Sequence, residues 1–120
     1  MKRNNKYQVL DVKGFEEDLF KLSRKYPLVL ENIEELFENF ELGIIKGNPI
    51  PRLKLEGNRV YKTELKNPDA NKGAKGGFRV IWYLVTSDNF IYPLTIYSKS
   101  DQEDISPKEI MRLISKRIKV

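Results

Sequence analysis

The run GGFRVIWYLVT at residues 76–86 constrains this chain more than any other segment. It is almost wholly apolar, rich in β-branched and aromatic side chains, and closed by the turn residues Ser87, Asp88 and Asn89. Such a run reads as a buried central strand. Arg79 sits inside it, and a guanidinium in so apolar a run needs a partner or a function. The nearest candidate partner is Glu64, in the preceding segment.

Two further strands flank the run. RVYKTELK, residues 59–66, alternates with Tyr61, Thr63 and Leu65 on one face and Lys62, Glu64 and Lys66 on the other. FIYPLTIYSKS, residues 90–100, is the third strand, where Pro93 cannot donate to a ladder and predicts an edge position or a bulge. Upstream, YQVL at residues 7–10 is a short strand candidate. Residues 14–26 place Phe15, Leu19, Leu22 and Tyr26 at helical spacing, with Glu16, Glu17 and Asp18 in the first turn, where acids suit the helix dipole. A second helix over residues 28–42 has the apolar stripe Val29, Ile33, Leu36, Phe37 and Phe40, a glutamate-covered opposite side, and Gly43 as its stop. Pro27 ends the first helix or opens the second. Residues 46–58 read as loop. A last short helix has Ser106 as N-cap, Pro107 in its first turn, and Ile110, Leu113, Ile114 and Ile118 on its apolar side. The order β-α-α-β-β-β-α predicts a single α+β domain over residues 1–120, with an N-terminal helix hairpin packed on a twisted, mainly antiparallel sheet.

Composition narrows the chemistry. The chain has no cysteine and no histidine, which excludes thiolate catalysis, Cys-type zinc sites and the commonest metal ligand, and no carboxylate constellation argues for another metal. No cofactor is expected. The start, MKRNNKYQVL, has basic residues without an apolar h-region, and no apolar stretch is long enough to span a bilayer. The expectation is a cytoplasmic protein that does not meet a membrane.

Charge is unevenly placed. Residues 46–100 carry ten basic and four acidic side chains, against seven and nine in residues 1–45 and five and four in residues 101–120. A basic middle third suits a polyanion. Parity puts Arg79 on one face of its strand with Ile81, Tyr83 and Val85, Lys99 with Tyr97 and Thr95, and Lys62 with Lys66. If these sets share a face, they form a cationic patch with a phenol on the side away from the helix hairpin. The glycine-rich segment between the first two strands adds Lys72 and Lys75.

Such a patch suits RNA cleavage without a metal. The 2′-hydroxyl is the nucleophile, a crowded lysine with a lowered pKa serves as acid or base, Arg79 clamps the pentavalent phosphate, and Tyr97 stacks on a base or supplies a proton.

The patterns YKTELK, KGAKGGFRVIWYL and LTIYSKSDQEDIS resemble the RelE/ParE superfamily of toxins from bacterial toxin–antitoxin pairs, in particular its HigB-type branch. The likeness runs over nearly the whole chain and is strongest over residues 59–106. It implies a RelE-like fold and a ribosome-dependent endoribonuclease that cuts messenger RNA and inhibits translation. On this likeness Lys62 matches a basic residue of the first hairpin strand, Arg79 the arginine after the glycine-containing pair, and Lys99 the basic residue ending the last strand. With Tyr97 these are the expected catalytic residues. Lys72 and Lys75 match the basic loop of HigB-type members and, with Arg59 and Lys66, are the expected RNA or ribosome contacts.

The chain departs from RelE at Glu64, where RelE has a second lysine, and at Ile105–Ser106, where RelE has a tyrosine. Tyr97 and the loop lysines are the expected substitutes. The resemblance also implies an antitoxin partner carrying a helix-turn-helix domain, with operator DNA met only through it. Two other functions fit the same fold: a ParE-like poison of DNA gyrase without catalysis, and a remnant that binds only its antitoxin.

Overall fold

The computed structural model describes residues 6–118. The basic start at residues 1–5, where no leader is expected, and residues 119–120 lie outside the described residues. The elements are β1 (Gln8–Val9), α1 (Lys13–Lys25), α2 (Val29–Glu41), β2 (Asn48–Pro49), β3 (Arg59–Leu65), β4 (Phe78–Val85), β5 (Phe90–Ser98) and α3 (Pro107–Arg117). This is the expected α+β arrangement with one strand added. The sheet order is β1-β5-β4-β3-β2, with β1 parallel to β5 and the other pairs antiparallel.

The added strand corrects the reading of residues 46–58 as loop throughout. Asn48 and Pro49 pair with Lys62 and Tyr61. A two-residue strand containing proline carries no local β signal, and only its neighbour makes it a strand. Pro93 behaves as expected. Ile81 faces Thr95 while Trp82 faces Pro93, so Leu94 is an extra residue in a bulge.

Phe15, near the start of α1, meets Phe37, near the end of α2, at a ring-centroid distance of 5.7 Å. The two helices therefore run antiparallel and lie on one sheet face. Val29, Ile33, Leu36 and Phe40 of α2 pack there against Phe78, Val80, Trp82 and Leu84. Trp82 sits at the centre, 4.5 Å from the stacked Tyr61 ring and 4.6 Å from Phe40. Its indole N–H donates to Thr63 Oγ1 at 2.9 Å, so the largest buried side chain leaves no polar atom unmet.

The opposite face is also a core, which corrects the expectation of an open patch there. Val60, Ile81, Tyr83, Leu94 and Tyr97 pack with Ile110 of α3, and Leu53, Leu55 and Ile105 close the edges. The apolar residues of β4 on this side need cover, and α3 supplies it. Helix α3 starts as read, with Ser106 Oγ accepting from Glu109 N–H at 3.1 Å. Arg117 fastens its other end, donating to Asp18 Oδ2 of α1 at 2.6 Å and to the Leu94 carbonyl at 2.7 Å.

Candidate functional site

The basic residues gather where β3 ends, β4 begins and β5 ends. The chain reaches this end through a tight connection after β3. Asn67 and Lys72 exchange backbone hydrogen bonds of 2.8 and 2.9 Å, closing a loop around the short 3-10 turn Pro68–Ala70. Asn71 takes a left-handed conformation with φ 54°, which asparagine tolerates. Two bonds dock this loop on α2. Asp69 Oδ2 accepts from Leu28 N–H at 2.8 Å at the helix start, and Asn32 Nδ2 donates to the Lys66 carbonyl at 3.0 Å. A second 3-10 turn, Ala74–Gly76, carries Lys75.

Arg79 organises that second turn from beneath. It is only 4% exposed. Its Nη1 donates to the carbonyls of Ala74 at 2.9 Å and Phe78 at 3.2 Å, and its Nη2 to the carbonyl of Lys75 at 2.6 Å. Glu64 Oε1 lies 3.7 Å from Nη2. The partner that an arginine in this run requires is therefore present, as carbonyls and a carboxylate together. Gly77 makes the approach possible, since a Cβ there would stand 2.0 Å from the Leu65 carbonyl oxygen.

The register places Glu64, Arg79 and Tyr97 in one cross-strand row. Lys62 lies on the same face of β3 as Glu64, two residues away, opposite Ile81 and Asn48. Lys99 follows β5 by one residue, and its N–H donates to the Gly77 carbonyl at 2.9 Å. Lys66, Lys72 and Lys75 are exposed at this end, while Lys62 and Lys99 are half-buried. Arg59 is not brought to this end. It pairs with Leu84, five residues along β4 from Arg79, or about 17 Å along the strand. There it lines a separate cavity of about 340 Å³ with Arg52.

Tyr97 is buried in the second core, and its hydroxyl has no hydrogen-bond partner among the described residues. Burial first, and the negative charge of Asp104 second, push its pKa up to about 12, against a lowering by Arg79. The ring does not present itself to solvent as a base-stacking platform. The signal for this was in the sequence, because Ile81 and Tyr83 share the face of Arg79 and demand a cover that reaches Tyr97.

Glu64, foreseen as a partner for Arg79, is not among the expected site residues. Its side chain is 35% exposed, and its carboxylate faces the Arg79 guanidinium. Among the described residues no group of three or more acidic side chains is placed to hold a metal ion. No helix there is long and apolar enough to cross a membrane. Comparison with protein-family models, with curated proteins and with solved structures finds no match.

Proposed function

We propose that this chain is the toxin of a toxin–antitoxin pair, of the RelE/ParE type and its HigB-like branch, and acts as a ribosome-dependent messenger RNA endoribonuclease. The observation that carries the reading is the gathering of Lys66, Lys72, Lys75 and Lys99 around the buried Arg79 at one end of the sheet. Exposed lysines there suit phosphodiester oxygens, and the Arg79 charge behind them suits the extra negative charge of a pentavalent phosphate. Lys62 and Lys99 flank the Glu64–Arg79–Tyr97 row and can protonate a leaving oxygen. The ribosome would hold the message in the reactive geometry, which suits a protein that lacks histidine. A cytoplasmic location, and a helix-turn-helix antitoxin through which the pair meets its operator, belong to the same proposal.

The test is brief induction in growing bacteria, with translation and DNA integrity followed together. The RNase reading expects protein synthesis to stop first while DNA stays intact. DNA breaks with continuing translation would overturn it in favour of a gyrase poison. One observation favours that second reading: the Arg79 donors are already committed to carbonyls, which suits a residue that shapes a binding surface without chemistry.

A further inference from the structure

Attack by a ribose 2′-hydroxyl needs a group that accepts its proton. This chain has no histidine to do so. Tyr97 keeps its proton until about pH 12. An arginine in a protein does not release its proton, and a lysine that protonates the leaving 5′-oxygen must start as an ammonium, which has no lone pair to offer. A carboxylate remains. Asp69 is committed to the N–H of Leu28, and Asp104 Oδ1 to the N–H of Ile105. Asp101 and Glu103 lie beyond the end of β5, off the sheet. Glu64 differs from all four. It stands directly across from Arg79 in the β3–β4 register, its carboxylate is 3.7 Å from the guanidinium, and among the described residues it takes no hydrogen bond. Its exposed position lets a substrate approach, and Lys62 and Lys66 flank it at i−2 and i+2, their Cα atoms about 7 Å away along the chain.

We propose that Glu64 is the general base of the cleavage reaction, an assignment that rests on the RNase reading above. The Glu64 carboxylate takes the 2′-hydroxyl proton as the 2′-oxygen bonds to phosphorus. The bond from phosphorus to the 5′-oxygen breaks, and that oxygen takes a proton from the ammonium of Lys62 or Lys99. The products are a 2′,3′-cyclic phosphate and a free 5′-hydroxyl, and Glu64 returns its proton to the lysine through solvent. Arg79 keeps the carboxylate in place and faces the phosphate with its charge.

The experiment uses the purified full chain with ribosomes carrying a defined message, comparing wild type, Glu64→Gln, Glu64→Asp and Glu64→Ala. Single-turnover rates and the ribosome concentration for half-saturation are measured across pH. Glu64→Gln should lower the rate by about 10²–10⁴-fold with half-saturation little changed. The wild type should lose rate at acid pH, and Glu64→Gln should abolish that loss. Glu64→Asp should recover part of the rate, and added formate should recover part of it in Glu64→Ala, which separates a missing base from a damaged fold. Wild-type cleavage by Glu64→Gln, or a loss confined to half-saturation with the acid limb intact, would overturn the assignment and leave the RNase reading standing. A wild-type protein that cuts no message would overturn both.

Discussion

Arg79 donates to the backbone carbonyl of Lys75 at 2.6 Å, so a buried residue of β4 fixes the backbone that carries an exposed cation. Its bond to the Ala74 carbonyl holds the same turn one residue earlier. The sequence position of Arg79, inside an apolar strand and four residues after Lys75, makes this reach possible. The guanidinium fork is what the arrangement uses, because the two terminal nitrogens serve three carbonyls at once.

Replacing Arg79 should therefore loosen the lysine turn. Arg79→Ala is expected to lower stability by about 2–4 kcal/mol, since charged hydrogen bonds are lost and Glu64 is left without its partner. Arg79→Lys keeps a charge but not the fork, and should still free the turn. Hydrogen exchange at the amides of Gly76 and Gly77, which bond to the carbonyls of Gly73 and Ala74, checks this. Both variants should exchange faster there while the amides of β4 and β5 stay protected.

Gly77 and Gly73 should respond oppositely to a methyl group. A Cβ at Gly77 would meet the Leu65 carbonyl oxygen at 2.0 Å, a backbone clash that no rotamer change relieves, whereas nothing lies within 4 Å at Gly73. Gly77→Ala should destabilise the fold by about 2 kcal/mol or more. Gly73→Ala should change stability by less than about 0.5 kcal/mol. Urea unfolding of the two variants decides the comparison.

RNA binding should report the exposed lysines through salt. If Lys72 and Lys75 each meet a phosphate, the double alanine variant should reduce the slope of log affinity against log salt by about 1.4, taking roughly 0.7 per contact on a single strand. Arg59→Ala, at the other end of the sheet, should leave the cleavage rate at saturating ribosomes unchanged. An unchanged slope in the Lys72/Lys75 variant would remove those residues from the interface.

Tyr97 makes stability depend on alkaline pH. A free tyrosine titrates near pH ~10, and in the fold burial raises this value to about 12. The folded state therefore favours the neutral phenol. Its contribution is complete below the unfolded value and is lost as pH rises from there through the folded one. Tyr97→Phe should remove that alkaline loss. It also removes an unpaired buried hydroxyl, so stability at neutral pH should rise by about 1 kcal/mol. Urea unfolding of both proteins at neutral and alkaline pH measures the two effects.

Periodicity made most of the fold legible. The stripe Val29, Ile33, Leu36 and Phe40 is buried as read, and the alternation of Tyr61 and Thr63 against Lys62 and Glu64 matches the register. Pro93 announced the bulge. Strand β2 could not be read, because its two residues owe their conformation to pairing with Tyr61 and Lys62. The site was legible as a set of residue types but not as a surface. Parity placed Arg79 and Tyr97 correctly on one face, yet it carries no information on what covers that face. The cover comes from Ile110 on α3, far along the chain. Glu64 was visible as a partner for Arg79, and its place in the row needed the strand register.

Primer extension on a defined message after brief induction, comparing wild type with Arg79→Ala, tests the central claim most directly. The account predicts new 5′ ends within translated sequence in the wild type and their loss in the variant. A wild type that arrests growth without new ends in any message, or an Arg79→Ala variant that cuts as the wild type does, would contradict it.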